Sequence, residues 1–203
     1  MYDEATRFVS KVYAFMEACR EYYHDAGHRK ACRYLNSVFW STHQKLFKML
    51  MVHSKIDYLV KEVTQCLADG CSPVIGLWST GEASLNRFKD KIHPRLVTDK
   101  ICSTVRETLY YFLTVYCDPE SNERDPEEQF QLEDATAILH REKLDQLLDE
   151  LKTINWPASS LELLIERLGG ENNVAELSGR SLKQRKTAGG YIFCDRSSTT
   201  LEE

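Results

Sequence analysis

The spacing of apolar residues over the first third of the chain most constrains what it can fold into. From Asp3 to Leu67, apolar side chains recur every three or four residues, which places them on one face of an α-helix. Gly27 and Ser54 interrupt the pattern, since Gly weakens a helix and Ser is a favoured N-cap. The pattern predicts two or three amphipathic helices, the last of them ended by Gly70 just beyond its C-cap.

The period changes directly after these helices. Residues 72–80, SPVIGLWST, form a short apolar run with β-branched side chains, bounded by glycine and proline. This pattern is typical of a buried strand followed by a turn. A helix that leads into a strand is half of a βαβ unit, and ligands of such sheets bind where the strands end. We therefore place the candidate functional site in the following loop, which consists of Ser79, Thr80, Gly81 and Glu82.

An acidic segment is predicted to divide the chain. Residues 118–134 carry two prolines and eight acidic side chains, a composition typical of a solvated linker. It separates a predicted domain of residues 1–117 from a second one of residues 135–203. The first is expected to end in a helix capped by Thr98 or Asp99, with an apolar stripe of Ile101, Val105, Leu109, Phe112 and Val115.

The second domain is predicted to contain short helices and a hairpin. Helical periodicity covers Ala135 to Lys152, and a second short helix, LELLIERLGG, ends at its glycine pair. A further helical turn is expected to end at Gly179. The Gly-Gly pair at 189–190 separates a basic run from an aromatic, β-prone run, which predicts a hairpin.

Composition indicates a folded, intracellular protein that does not span a membrane. Hydrophobic residues make up 42% and charged residues 28% of 203, a globular balance. The longest apolar stretch, residues 109–117, is far shorter than the roughly 20 residues needed to cross a bilayer. The first residues are charged and show no secretory signal. Its seven cysteines are widely spread, so we expect reduced thiols.

The net charge of −5 argues against attraction of the whole molecule to nucleic acid. Any such contact must come from a local basic patch, for which Arg180, Lys183, Arg185 and Lys186 are the candidates. Their charges suit phosphate groups, because each neutralised phosphate releases counterions. Alternatively they protect a solvent-exposed strand edge, a common use of lysine. The sequence leaves both interpretations open.

No cofactor, metal site or catalytic residue is predicted. The sequence contains no GxxxxGK[ST] phosphate loop, and no local signature couples a cysteine to a histidine as in nucleophilic catalysis. His24, His28 and Cys32 would share one helical face, as metal ligands can. Gly27 interrupts that helix, however, and a fourth ligand is not obvious.

An aromatic segment lies in the second predicted helix. Phe39, Trp40, His43 and Phe47 have the spacing of a helix stripe that packs into a core. The alternative is a surface that packs against a further domain, because a large apolar patch requires a partner.

Three strings together resemble the strawberry notch family, which comprises large nuclear proteins with a superfamily-two helicase core. They are FWSTHQKLFK at 39–48, VIGLWSTGEASL at 74–85 and LGGENNVAELSGR at 168–180, and STVRETL at 103–109 resembles a family helix between the last two. The order of the strings also agrees with the family. Trp78 departs from the pattern, because it stands where the family has glutamine.

The resemblance implies an α/β, predominantly helical fold that forms an incomplete RecA-like second helicase lobe with few strands. The family's phosphate loop and arginine motif would lie outside this segment, so the chain alone is not expected to hydrolyse ATP. By the resemblance, residues 79–82 would contact the nucleic-acid backbone. Gly179 and Arg180 match the later string, where the arginine would contact either a phosphate or an acidic neighbour.

The implied function is regulation of transcription in the nucleus, by a binding module for transcription factors or chromatin proteins. We also expect contact with a DNA or RNA backbone. We do not expect binding to a membrane or to a small-molecule substrate. The alternative is a segment or subunit of a nucleic-acid-dependent ATPase that functions only with another lobe.

Overall fold

Helices dominate the structure, which is a computed structural model describing residues 2–25, 27, 29–91, 97–118 and 135–195. The helices are α1 (Tyr2–Asp25), α2 (Arg29–Ser54), α3 (Ile56–Ala68), α4 (Glu82–Lys91), α5 (Thr104–Tyr111), a π-helical segment (Phe112–Cys117), α6 (Ala135–Thr153) and α7 (Ser160–Arg167). The strands β1 (Leu182–Thr187) and β2 (Gly190–Asp195) pair antiparallel, with Leu182 opposite Asp195 and Thr187 opposite Gly190. The prediction of a mainly helical fold with few strands is confirmed.

The chain divides into two compact units, each built from two separate segments. The first unit comprises Met1–Lys48 and Thr108–Trp156, and the second comprises Met49–Glu107 and Pro157–Glu203. Residues 119–134, most of the predicted acidic linker, lie outside the described residues. The division of the chain into domains at that linker stays a prediction.

The core of the first unit is aromatic. α1 buries one helical stripe, which includes Phe8, Phe15 and Cys19, as the sequence period predicts. The Phe8 ring meets Trp156 edge-on with centroids 5.7 Å apart, and the Trp156 indole donates a hydrogen bond of 2.8 Å to the Leu151 carbonyl. α1 also packs against α6. These contacts bring the two segments of this unit together.

The aromatic stripe of α2 is only partly buried. Phe39 is 3% exposed and lies 5.7 Å from the Phe112 ring, centroid to centroid, whereas Trp40 is 45% exposed. Phe39 therefore fills the core as the first interpretation predicts, and Trp40 stays at the surface, where its indole donates to Asn36.

The core of the second unit joins α4 to the hairpin. Leu85, Cys102 and Leu182 are buried together, and Phe193 packs against them. Gln184 reaches the same region, where its side-chain oxygen accepts a hydrogen bond of 2.7 Å from the Cys102 amide. The predicted hairpin around the Gly-Gly pair is thus confirmed, and its start is anchored on α4.

The breaks and ends of the helices follow the sequence signals in most places. α1 ends before Gly27, which has a φ of 83°, and α3 ends before Gly70, with a φ of 78°. The break expected near Ser54 is confirmed, since α2 ends there, but Ser54 does not cap α3, because its hydroxyl donates back to the Met51 carbonyl and Lys55 precedes α3. Likewise neither Thr98 nor Asp99 caps α5, because this helix begins only at Thr104 and Thr98 forms a β-bridge with Tyr191.

Two predicted elements are absent from the described residues. Residues 71–81 form no strand, and Val74 within them is 96% exposed. A buried strand needs neighbouring strands for its backbone groups, and a short apolar run does not reveal whether they exist. The helical turn expected before Gly179 is also wrong, because residues 174–180 have no regular secondary structure.

All seven cysteines are free thiols, as predicted. No described helix combines the length and the apolar character that crossing a membrane requires.

Candidate nucleic-acid interface

The loop Ser79–Glu82 forms the entry to α4. The Ser79 hydroxyl accepts a hydrogen bond of 3.1 Å from the Gly81 amide, and the Thr80 hydroxyl accepts one of 3.4 Å from the Glu82 amide. Gly81 has a φ of 74°, and a Cβ there would lie 2.7 Å from a methyl carbon of Thr104. Hydroxyl residues followed by glycine therefore suit this turn locally.

The Glu82 carboxylate ties this loop to the start of β1. One carboxylate oxygen accepts hydrogen bonds from the Ser181 amide at 2.6 Å, from the Ser181 hydroxyl at 2.8 Å and from the Leu182 amide at 3.4 Å. The bonds from Ser181, its backbone amide first, hold the pKa of Glu82 below the usual value. The structure thus brings the two predicted motifs, residues 79–82 and 179–180, to the same place.

Replacing Glu82 with glutamine is expected to lower the free energy of unfolding by about 1 kcal/mol near neutral pH, because the neutral amide accepts weaker hydrogen bonds from Ser181 than the carboxylate does. The effect stays this small because the site is accessible to solvent. A lowered carboxyl pKa contributes stability that is present above the unfolded value and is lost as the pH falls through the folded value. The difference in the free energy of unfolding between the variant and the wild type should therefore shrink as the pH falls below 4.5, the ordinary pKa of the group.

Urea unfolding at pH 7 and at successively lower pH measures this difference, with Glu142→Gln on an exposed position of α6 as control. A difference that stays constant down to pH 3 would show that the Glu82 charge is not what holds Ser181.

Arg180 is enclosed by carboxylates. Its guanidinium, 1% exposed, donates at 2.7 and 2.8 Å to the two Glu176 oxygens and also donates to Glu162, which is itself buried. Burial raises the pKa of Glu162, and the Arg180 charge opposes this rise. Of the two roles that the sequence left open for Arg180, the structure shows the acidic neighbour. Gly179 is exposed beside it.

The remaining basic residues lie on β1 in different environments. Lys183 pairs with Glu171 at 2.9 Å, and Lys186 pairs with Glu166. Arg185 is exposed, and no carboxylate within the described part of the chain forms an ion pair with it. Among the four basic candidates, Arg185 is therefore the one whose charge faces solvent uncompensated.

A small pocket of 30 Å³ opens beside the loop. Its wall combines hydroxyl and apolar groups from four parts of the second unit: Met49, Val52, Trp78, Ser79, Thr80, Gly81, Thr104, Ser159, Ser160 and Leu161. Sequence reasoning found the loop residues but missed Thr104, Ser159 and Ser160 as neighbours. The available signal was the serine pair Ser159–Ser160 at the start of α7, which is typical of a helix cap.

A buried cysteine and histidine meet in the first unit. The Cys19 sulfur lies 3.5 Å from Nε2 and 3.7 Å from Nδ1 of His140, whose Nε2 is also 3.0 Å from the Cys117 carbonyl oxygen. Burial raises the pKa of Cys19, but hydrogen bonds from Cys117 and His140 outweigh this and bring it to about 6. The contact joins α1 to α6 across 121 residues, so no local signature could have predicted it. Cys19 is completely enclosed, and the pair packs the core of this unit.

Comparisons with known proteins confirm the resemblance to the strawberry notch family. Protein strawberry notch homolog 1 of Rattus norvegicus is 24% identical over 213 aligned residues, covering 70% of this chain and 17% of that protein. The Caenorhabditis elegans homolog is 30% identical over 54% of this chain and 6% of its own length. Mus musculus homolog 2 is 43% identical over 29% of the chain and 4% of its length.

The chain therefore spans less than a fifth of the length of these relatives. No protein-family model and no solved structure matches the chain.

Proposed function

We propose that this chain is the nucleic-acid-contacting part of a strawberry notch-like regulator and corresponds to an incomplete second helicase lobe of RecA type. One observation carries the proposal: Glu82 joins the loop at 79–82 to Ser181, directly after the Gly179–Arg180 motif. These are two of the strings that resemble the family, and they are separated by almost 100 residues in the chain. Their meeting supports a shared surface rather than two unrelated similarities.

The chemistry of this surface suits a phosphate backbone. The Ser79 hydroxyl is exposed at the N-terminus of α4, where the helix dipole attracts negative charge. Arg185 is an exposed positive charge on β1, the strand whose first residue, Leu182, donates to Glu82, and guanidinium groups bind phosphate oxygens well. Such groups position a protein on a nucleic acid without reading its sequence. Because the net charge is −5, binding would be local and weak.

In this proposal the chain works in the nucleus in the regulation of transcription. Transcription factors or chromatin proteins are its protein partners. Its contribution is binding rather than ATP hydrolysis, since the sequence has no GxxxxGK[ST] phosphate loop. The similarity to the strawberry notch homologues supports this role.

Binding of a labelled single-stranded oligonucleotide, measured by fluorescence anisotropy at several salt concentrations, tests the proposal. Affinity is expected to fall with increasing salt. The Arg185→Ala variant should bind more weakly, and the slope of log affinity against log salt should decrease by about 1, as for the loss of one phosphate contact.

Arg7→Ala is the matched control, since it makes the same charge change at an exposed position of α1 in the other unit. Equal weakening in both variants would indicate a general charge effect and no defined surface. Absence of binding by the folded protein at low salt would remove the nucleic-acid proposal and favour a purely protein-binding role.

A further inference from the structure

Three helices begin at the same pocket. α4 with 10 residues, α5 with 8 and α7 with 8 start at Glu82, Thr104 and Ser160. The pocket is lined by Gly81, which directly precedes α4, and by Thr104 and Ser160, which are the first residues of α5 and α7. The first amides of a helix have no partner within it and carry the positive end of its dipole. Three such ends around one small space create a site that favours negative charge.

The three helix ends differ in whether their own side chains cap them. The Thr80 hydroxyl accepts from the Glu82 amide at the start of α4, and the Ser103 hydroxyl accepts from the Arg106 amide in α5. At α7 the residue in the cap position is Ser159, and its side chain makes no capping hydrogen bond. Ser159, the cap residue of α7, thus keeps its hydroxyl available for a hydrogen bond with another group.

Ser159 is also buried without a partner. The residue is 1% exposed, and its hydroxyl forms no hydrogen bond within the described part of the chain. Its backbone is held at both ends, because its amide donates to the Cys102 carbonyl at 2.9 Å and its carbonyl accepts from Leu163 at 3.0 Å. A buried hydroxyl without a hydrogen bond is unfavourable, so a ligand that forms one with Ser159 would stabilise the folded protein.

The surroundings define the chemistry of that group. Helix amides and the hydroxyls of Ser79, Ser159 and Ser160 can all donate, so the ligand accepts hydrogen bonds and carries negative charge. A volume of 30 Å³ exceeds what one water needs and admits only a small ligand. The negative charge of Glu162 in the first turn of α7 is paired with Arg180. The apolar side of the pocket is formed by Met49, Val52 and Leu161. Apolar surroundings strengthen the attraction between an anion and the helix ends.

We propose that this pocket binds one phosphate-sized oxyanion through the Ser159 hydroxyl and the first amides of α7. The anion is either free phosphate or one phosphate of a nucleic-acid backbone. In the second case the inference rests on the proposed function and identifies where on the surface a backbone phosphate sits.

Thermal unfolding at constant ionic strength, with inorganic phosphate replacing chloride, tests the site. Phosphate raises the melting temperature of the wild type, because a ligand that binds only the folded state stabilises it. Ser159→Ala loses this rise. The control Ser54→Ala, an exposed serine outside the pocket in the same unit, retains it. Without phosphate, Ser159→Ala melts no lower than wild type, since the removed hydroxyl has no partner.

Three results overturn the inference. They are a folded wild type that does not respond to phosphate, a Ser159→Ala variant that responds as the wild type does, and a Ser159→Ala variant that melts well below wild type without phosphate. The last would show that the hydroxyl is bonded within the protein.

A second arm separates the two sources of the anion. If inorganic phosphate displaces a labelled single-stranded oligonucleotide, and Ser159→Ala weakens oligonucleotide binding, the pocket holds a backbone phosphate. If phosphate binds and no oligonucleotide does, the pocket binds the free anion. The proposal that the chain contacts nucleic acid is then wrong, and the inference of an anion pocket stands. If the oligonucleotide binds and phosphate does not, the pocket inference fails alone.

Discussion

Replacing Arg180 with alanine is expected to lower the free energy of unfolding by about 3 to 5 kcal/mol, the typical result of removing one partner from a buried ion pair. The guanidinium is 1% exposed and bonds to both Glu162 and Glu176. Without it, the buried Glu162 charge loses its compensation. Chemical denaturation of the purified chain at pH 7 measures the change.

Lowering the pH should partly restore the Arg180→Ala variant. Burial already raises the pKa of Glu162 above the ordinary 4.5, and loss of the neighbouring positive charge raises it further. The folded state then binds more protons than the unfolded state between those two pKa values, so stability decreases as the pH rises through this window. The variant is therefore least stable above the window and gains stability as Glu162 becomes neutral.

Arg185→Ala is the control for the change at Arg180, because it removes the same side chain from an exposed position of the neighbouring strand. Its effect on stability is expected to stay within about 0.5 kcal/mol. If Arg180→Ala were equally mild, the enclosed carboxylate pair would not exist in solution, and Arg180 would again be available as a phosphate contact.

Replacing Leu85 with alanine is expected to cost about 2 to 5 kcal/mol, the range for removing a large buried aliphatic side chain. Leu85 is 0% exposed and shares the core of the second unit with Cys102 and Leu182, where Phe193 also packs. The substitution leaves a cavity between α4 and the hairpin. The loop at 79–82 enters α4 directly, so oligonucleotide binding should weaken together with stability.

Asn86→Ala is the matched control for Leu85→Ala, since it truncates the adjacent, exposed residue of the same helix. Alanine has the higher helix propensity, so this variant should be as stable as wild type or slightly more stable. Urea denaturation compares the two variants. Equal stabilities would mean that α4 does not pack on the hairpin through Leu85.

The elements that the sequence predicted well are those with a local cause. The amphipathic period of α1 to α3 and the glycines at 27 and 70 set where helices run and end, because periodic burial and left-handed backbone depend on neighbours within a few residues. The hairpin follows from the Gly-Gly pair at 189–190, since a tight turn also needs only adjacent residues.

The failures involve elements whose state depends on distant partners. The apolar run at 72–80 has the composition of a buried strand, but composition does not supply the strands that would bury it, and Val74 is exposed. The cap expected at Thr98 failed for a similar reason. That residue bonds to Tyr191, which is 93 residues away.

The candidate site shows the same division between local and tertiary causes. By itself the sequence determined the Ser79–Glu82 turn, because hydroxyls and a glycine within four residues form it. Only the tertiary structure decided what Glu82 and Arg180 bind. Glu82 accepts from Ser181 across 99 residues, and Arg180 is neutralised by Glu162 across 18. A charged side chain is attracted to whichever opposite charge folding brings near it and shields from water, so its partner depends on the packing of α4, α7 and the hairpin.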